Sequence, residues 1–231
     1  MFWYFDPRYL LIVGPALLLG IVAQLMVSNA YGRYSRIRNA RGITGAEAAQ
    51  HLLIYNDLGS VRLEGTPGQL TDHYDPRTDT LRLSMPVART PSVAALGIVA
   101  HEVGHAQQVH SGYAPMRWRA ALVPVASIGS TAGPWLILLG VLLRFGGLAW
   151  AGILLFSTAA LFYLVTLPVE IDASRRGLNM LRESGLVAPE EVEGAEKVLR
   201  AAAWTYVAAL LTSVLQLFYF ISLVGGGRRR S

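Results

Sequence analysis

The sequence predicts a mainly α-helical membrane protein, with four transmembrane helices and a small α+β region. Three observations support this. Of the 231 residues, 53% are hydrophobic and only 15% charged, whereas a soluble domain carries about 25% charged residues. Four uncharged stretches recur along the chain, each near the roughly 20 residues that a membrane-crossing helix needs. The missing charge is gathered into two polar stretches, residues 28–119 and 168–200.

The first uncharged stretch runs from Tyr9 to Val27. It has no clear small-residue cleavage site, so residues 1–28 read as an N-terminal anchor rather than a removed signal peptide. Residues 29–119 form the larger polar region. Tyr31 to Arg41 is basic and membrane-proximal. Thr44 and Glu47 then have the spacing of a capping box, opening a helix that reaches about Asn56. Val61–Glu64, Gln69–Tyr74 and Thr80–Met85 read as strands, the last two joined by a turn at Asp75–Asp79. Pro91-Ser92 starts a helix carrying Val93 to about Val109.

Residues 120–168 read as a transmembrane hairpin, Ala120–Leu143 and Leu148–Leu167 around a turn at Arg144-Phe145-Gly146-Gly147. Residues 169–200 are expected to be helical, with Pro168 suited to a helix start and Pro189-Glu190-Glu191 opening the last long helix. Residues 201–231 hold the fourth span, Ala201–Val224, and a Gly/Arg tail. Four spans place both polar regions on one side of the membrane.

Nineteen arginines and one lysine stand against 15 acidic residues, a net charge of +5. The arginines flank the apolar segments instead of forming one basic domain, so the expected partner is the lipid bilayer, and no nucleic acid. On the polar-region side, eleven basic residues lie near span ends: Arg33, Arg36, Arg38, Arg41, Arg117, Arg119, Arg175, Arg176, Arg182, Lys197 and Arg200. Arg8, Arg144, Arg228, Arg229 and Arg230 lie on the other. The positive-inside rule then makes the polar face cytoplasmic in a bacterial-type cell membrane. The absence of cysteine excludes a disulfide framework, a thiolate metal site and a cysteine nucleophile.

Residues 101–105 read His-Glu-Val-Gly-His, an HExxH pattern on an expected helix. Four residues advance a helix by about 400°, so His101 and His105 share one face and can meet one Zn²⁺. Glu102 sits beside them, where this motif uses a general base. The small apolar residues Val93 to Ala100 bury the helix, and buried imidazoles without a metal would be costly. The HExxHxxGxxH variant fails, because Gln108 and Ser111 stand where Gly and His are required. No acidic residue occurs between Glu102 and Glu170. Glu170, just past the third span and on the motif's side of the membrane, is therefore the best third ligand.

HEVGHAQQ, the segments Leu70–Pro76 and Leu81–Ser84, and Glu170-Ile171-Asp172-Ala173-Ser174-Arg175-Arg176 together resemble the YugP-type membrane zinc metallopeptidases. That family in turn is similar to membrane gluzincins such as HtpX and the CaaX prenyl proteases. The resemblance implies a zincin-like catalytic region, zinc held by His101, His105 and Glu170, and Glu102 as catalytic base. It implies a zinc metalloendopeptidase acting on a protein or peptide substrate. In HtpX-like enzymes an aspartate four residues after the ligand glutamate orients a zinc histidine. Here that position is Ser174, and the nearby acid is Asp172, so either could supply that bond or Asp172 could simply pair with Arg175 or Arg176.

Other readings stay open at this level. A non-catalytic adaptor would use zinc to staple its two polar regions together. A site-2-type intramembrane protease would need the motif inside the bilayer, against which the polar residues around it argue. His73 could stabilise an oxyanion or be an ordinary strand residue. His110 and Tyr113 follow the motif helix and suit helix-end packing. Leu81–Ser84 could be an edge strand that pairs with substrate, or an ordinary sheet member.

Overall fold

Long uncharged runs with internal hydrogen bonding are what a bilayer demands, and the four apolar stretches all form helices in the computed structural model, which describes residues 6–226. In chain order the elements are α1 (Pro7–Tyr34), α2 (Gly45–Tyr55), β1 (Arg62–Thr66), β2 (His73–Asp75), β3 (Thr80–Ser84), α3 (Met85–Arg89), α4 (Val93–His110), α5 (Ala114–Leu142), α6 (Gly146–Glu183) and α7 (Pro189–Gly226). Helices α1, α5, α6 and α7 are each long and apolar enough to cross a membrane. The basic tail Arg228–Arg230 lies outside the described residues.

The chain divides into two compact units. One takes in the residues up to Ala23, 117–168, and those from Thr205 onward. Its interior is built from Tyr9, Val13, Ile137, Ile153, Phe156, Tyr219 and Phe220. Side chains such as Leu11 and Leu154 point outward, as lipid-facing residues do. Small residues let the hairpin helices approach closely: a Cβ on Gly140 would lie 2.4 Å from the Ala149 nitrogen. Asp6 caps α1 by accepting from the Arg8 amide at 2.9 Å, and also accepts from the Tyr219 hydroxyl at 2.9 Å.

The other unit, Gln24–Met116 with Val169–Trp204, is organised around α4. The Thr44 capping box forms as its spacing requires, and Ser92 caps α4 by accepting from the Ala95 amide at 3.2 Å. The sheet has the order β1-β3-β2, with β1 parallel and β2 antiparallel to β3. Leu81–Ser84 is therefore the central strand, not an edge, because its backbone is paired on both sides. Leu81 and Leu83 belong to the core cluster with Val99, Val103 and Leu181.

Three local expectations need correcting. The strand expected from Gln69 shortens to His73–Asp75, because Gly68 and Leu70 take left-handed backbone (φ +98° and +54°) that no strand accommodates. Helix α3 was not anticipated; Asp72 builds its start by accepting from both the amide and the hydroxyl of Ser84. Pro168 does not start a helix but lies inside α6, at the end of its apolar stretch. Long membrane helices tolerate proline where neighbouring groups satisfy the freed carbonyl.

The packing of α4 on the polar end of α6 is unusually close. A Cβ on Gly104 would stand 2.4 Å from the Ala173 carbonyl oxygen, and one on Gly177 would stand 2.6 Å from the Ala100 oxygen. Neither neighbour is a flexible side chain. Gly104→Ala is thus expected to lower stability by about 1–3 kcal/mol through forced helix separation. Gly59→Ala, which meets nothing within 4 Å, should leave the detergent-solubilised protein's melting temperature unchanged.

Candidate metal centre

The i, i+4 spacing on α4 brings the His101 and His105 rings to a centroid separation of 4.7 Å, nearly perpendicular. Glu170 enters from α6. Its Oε2 lies 3.2 Å from His101 Nε2 and 3.6 Å from His105 Nε2. Among the described residues these three form the one group of metal-ligating side chains, with donor atoms all within 4.8 Å of one another. His105 and Glu170 are buried, and His101 is partly exposed.

The hydrogen bonds behind the group test whether it suits a metal. Gln108 is fully buried, and its Nε2 donates to the Val169 carbonyl at 2.8 Å and to Asp172 Oδ2 at 3.0 Å. Both partners accept only, so the amide orientation is determined. Gln108 Oε1, 3.0 Å from His105 Nδ1, must then accept. His105 consequently carries a proton on Nδ1, so its Nε2 is the nitrogen that faces the Glu170 carboxylate. That nitrogen can meet the carboxylate only with a cation between them, a proton or a metal ion. His101 Nδ1 likewise stands 3.0 Å from Ser174 Oγ, which leaves Nε2 for the centre. The donor set of two imidazoles and one carboxylate fits zinc, and these bonds to the distal nitrogens are how zinc histidines are held.

Ser174 and Asp172, open alternatives in the sequence, thus serve different histidines. Ser174 contacts His101 directly. Asp172 reaches His105 through Gln108, while also pairing with Arg175 and Arg176 at 2.5 and 2.6 Å. Gln108 was missed as a functional residue. Its place three residues after His105, on the same helical face, was the available signal.

Glu102 is buried beside the group, and its Oε2 accepts from the Tyr74 amide of β2 at 3.0 Å. Burial pushes its carboxyl up to about 7; the His101 ring opposes the shift and the Glu170 charge adds to it. Nothing in the side chain of Tyr74 announces this contact, which its backbone makes.

The remaining candidates stand outside the cluster. His73 is exposed, with Nδ1 2.8 Å from the Thr71 carbonyl. His110 Nε2 pairs with Asp79 at 3.0 Å, and the Tyr113 ring lies under the Arg176 guanidinium at 5.5 Å.

Residues 9–225 match the model of a family described as "Putative neutral zinc metallopeptidase". The chain belongs to that family. It is also 42% identical over 213 residues to "Putative membrane protease YugP" of Bacillus subtilis (strain 168), covering 92% of this chain and 95% of that protein. No solved structure matches the chain. Family membership makes zinc the metal that this His/His/Glu group is suited to hold, and the similarity to a membrane protease agrees with the four membrane-competent helices.

Gln108→Ala is expected to keep the fold and weaken zinc binding by roughly 10–100-fold. His105→Ala should abolish stoichiometric zinc. Metal content by mass spectrometry and competition against a graded chelator series distinguish the two.

Proposed function

We propose that this protein is a membrane-anchored zinc endopeptidase, with His101, His105 and Glu170 as zinc ligands and Glu102 as catalytic base. The observation that carries the reading is the convergence of donor atoms of His101, His105 and Glu170 within 4.8 Å of one another, with a second buried carboxyl, Glu102, alongside. Three protein ligands are the number typical of catalytic zinc, whereas structural sites close with four. That count favours the enzyme over a zinc-stapled adaptor.

Zinc bound there would supply the Lewis acidity that makes water nucleophilic near neutral pH and polarises a peptide carbonyl. Glu102 accepts the proton from the attacking water and returns it to the leaving amine. Gln108 holds His105 with its Nδ1 protonated, and Ser174 holds the His101 ring at its Nδ1, so that both Nε2 atoms face the centre. The Tyr74 N–H is donated to Glu102 rather than to β3, so the open edge of β2 faces the base. An extended substrate pairing along that edge would bring its scissile carbonyl toward the zinc group.

Glu170 follows the last residue of the third uncharged stretch by three positions. This favours juxtamembrane or membrane-associated protein segments as substrates. It also argues against a site-2-type protease, whose motif would lie within the bilayer. The excess of basic residues flanking the polar regions supports a cytoplasmic catalytic face. On this reading residues 29–119 and 169–200 compose the catalytic region, and 1–28, 120–168 and 201–231 the membrane part.

Glu102→Gln is expected to retain zinc and lose proteolysis of casein or a membrane-protein substrate by at least about 100-fold; unaltered cleavage would remove Glu102 from the mechanism. The chain has no cysteine, so a single Gln69→Cys substitution reports orientation. Membrane-impermeant thiol reagents should label it in opened cells and not in intact ones.

A further inference from the structure

Beyond the metal centre, α6 and α7 enclose an open groove of about 310 Å³. Its floor is apolar, built from the buried Leu178 and Leu199 with Ala203, and its rim carries the exposed Ile171 with Arg175, Arg182, Arg200 and Glu196. We propose that this groove binds one anionic glycerophospholipid, the phosphate held by the rim arginines and an acyl chain laid on the floor.

Polarity along the two helices matches such an amphiphile. The third uncharged stretch ends at Leu167, so Ile171 lies at the membrane-proximal end of this α6 segment and Arg182 at the far end. Helix α7 runs the opposite way, with Ala203 just inside the fourth uncharged stretch and Glu196 outside it. The membrane-side end of the groove, Ile171 and Ala203, is therefore apolar and its far end carries Arg182, with Arg175 and Arg200 flanking Leu178 and Leu199 between them. Trp204, exposed beside Ala203, is the residue type that settles at that boundary.

The charge is also suited to phosphate. Glu196 draws Arg182 and Arg200 toward one another, at 3.7 and 3.2 Å. Their side chains nevertheless stay 51% and 72% exposed. Each guanidinium has five N–H donors in a planar fork, so one shared carboxylate leaves donors to spare. Basic pockets between membrane helices are where anionic headgroups bind. Ser174 lines the same groove while contacting His101, so an occupant would adjoin the metal centre. The proposal itself stands on the groove's own chemistry, independently of zinc or peptidase activity.

The test is native mass spectrometry of the full-length, delipidated protein in mild detergent, titrated with dioleoyl phosphatidylglycerol, dioleoyl phosphatidylcholine or inorganic phosphate. One phosphatidylglycerol is expected to bind at least about tenfold more tightly than phosphatidylcholine. Arg182→Gln/Arg200→Gln should weaken it by roughly 25-fold, at about fivefold per guanidinium. The exposed pair Arg41→Gln/Arg89→Gln, losing the same charge elsewhere, should bind as wild type. Ala203→Phe, which fills the floor and leaves every charge in place, should also lose phosphatidylglycerol at unchanged zinc content. Equal affinity for the two lipids, or phosphatidylglycerol binding that survives both groove variants, would overturn the proposal. So would inorganic phosphate occupying the arginines in place of the lipid.

Discussion

The metal centre depends on how closely α4 and the polar end of α6 can approach. Two glycines, Gly104 and Gly177, each face a backbone carbonyl of the opposite helix at a distance no Cβ could occupy. That reciprocal contact brings Glu170 within 3.2–3.6 Å of two imidazoles on another helix. An extra methyl on either glycine would push the helices apart by roughly half an ångström or more, whereas metal–ligand distances are held to within about 0.2 Å. Helix packing and metal geometry are thus one constraint.

Close packing buries polar groups, and each must find a partner or destabilise the fold. Here the partners form a chain: His105 to Gln108, Gln108 to Asp172 and the Val169 carbonyl, Asp172 to Arg175 and Arg176. The chain ends on arginines that reach solvent, so the buried amide and carboxylate are satisfied without an isolated charge. The same bonds that make burial tolerable also determine which histidine nitrogen faces the centre. Ser174 meets His101 directly, and Asp172, two residues earlier on α6, reaches His105 through Gln108.

Polarity changes along α6 and α7 as each passes from its uncharged stretch to its charged end. Those transitions place ligating, pairing and arginine side chains within a few turns of apolar helix. The proposed hydrolysis close to a membrane and the proposed recognition of a lipid headgroup would draw on the same physical circumstance: charged side chains held on rigid helices where hydrocarbon gives way to water.

Much of this was legible in the residues themselves. Uncharged runs of about 20 residues determine membrane helices because backbone groups in lipid must bond internally. HExxH determines a shared face because the helical period is local. The absence of any acid between Glu102 and Glu170 left one good third ligand. Sequence spacing carries no such information about contacts made across elements. The strand order that makes β3 central and β2 an edge, the Nδ1 proton that Gln108 imposes on His105, and the Tyr74 amide on Glu102 arise from approaches between segments far apart in the chain. A glycine in HEVGH is chemically silent in sequence. Only when α6 packs against it does the lack of a Cβ decide where the carboxylate stands, because that distance is set by the backbone it meets and not by its own neighbours in the chain.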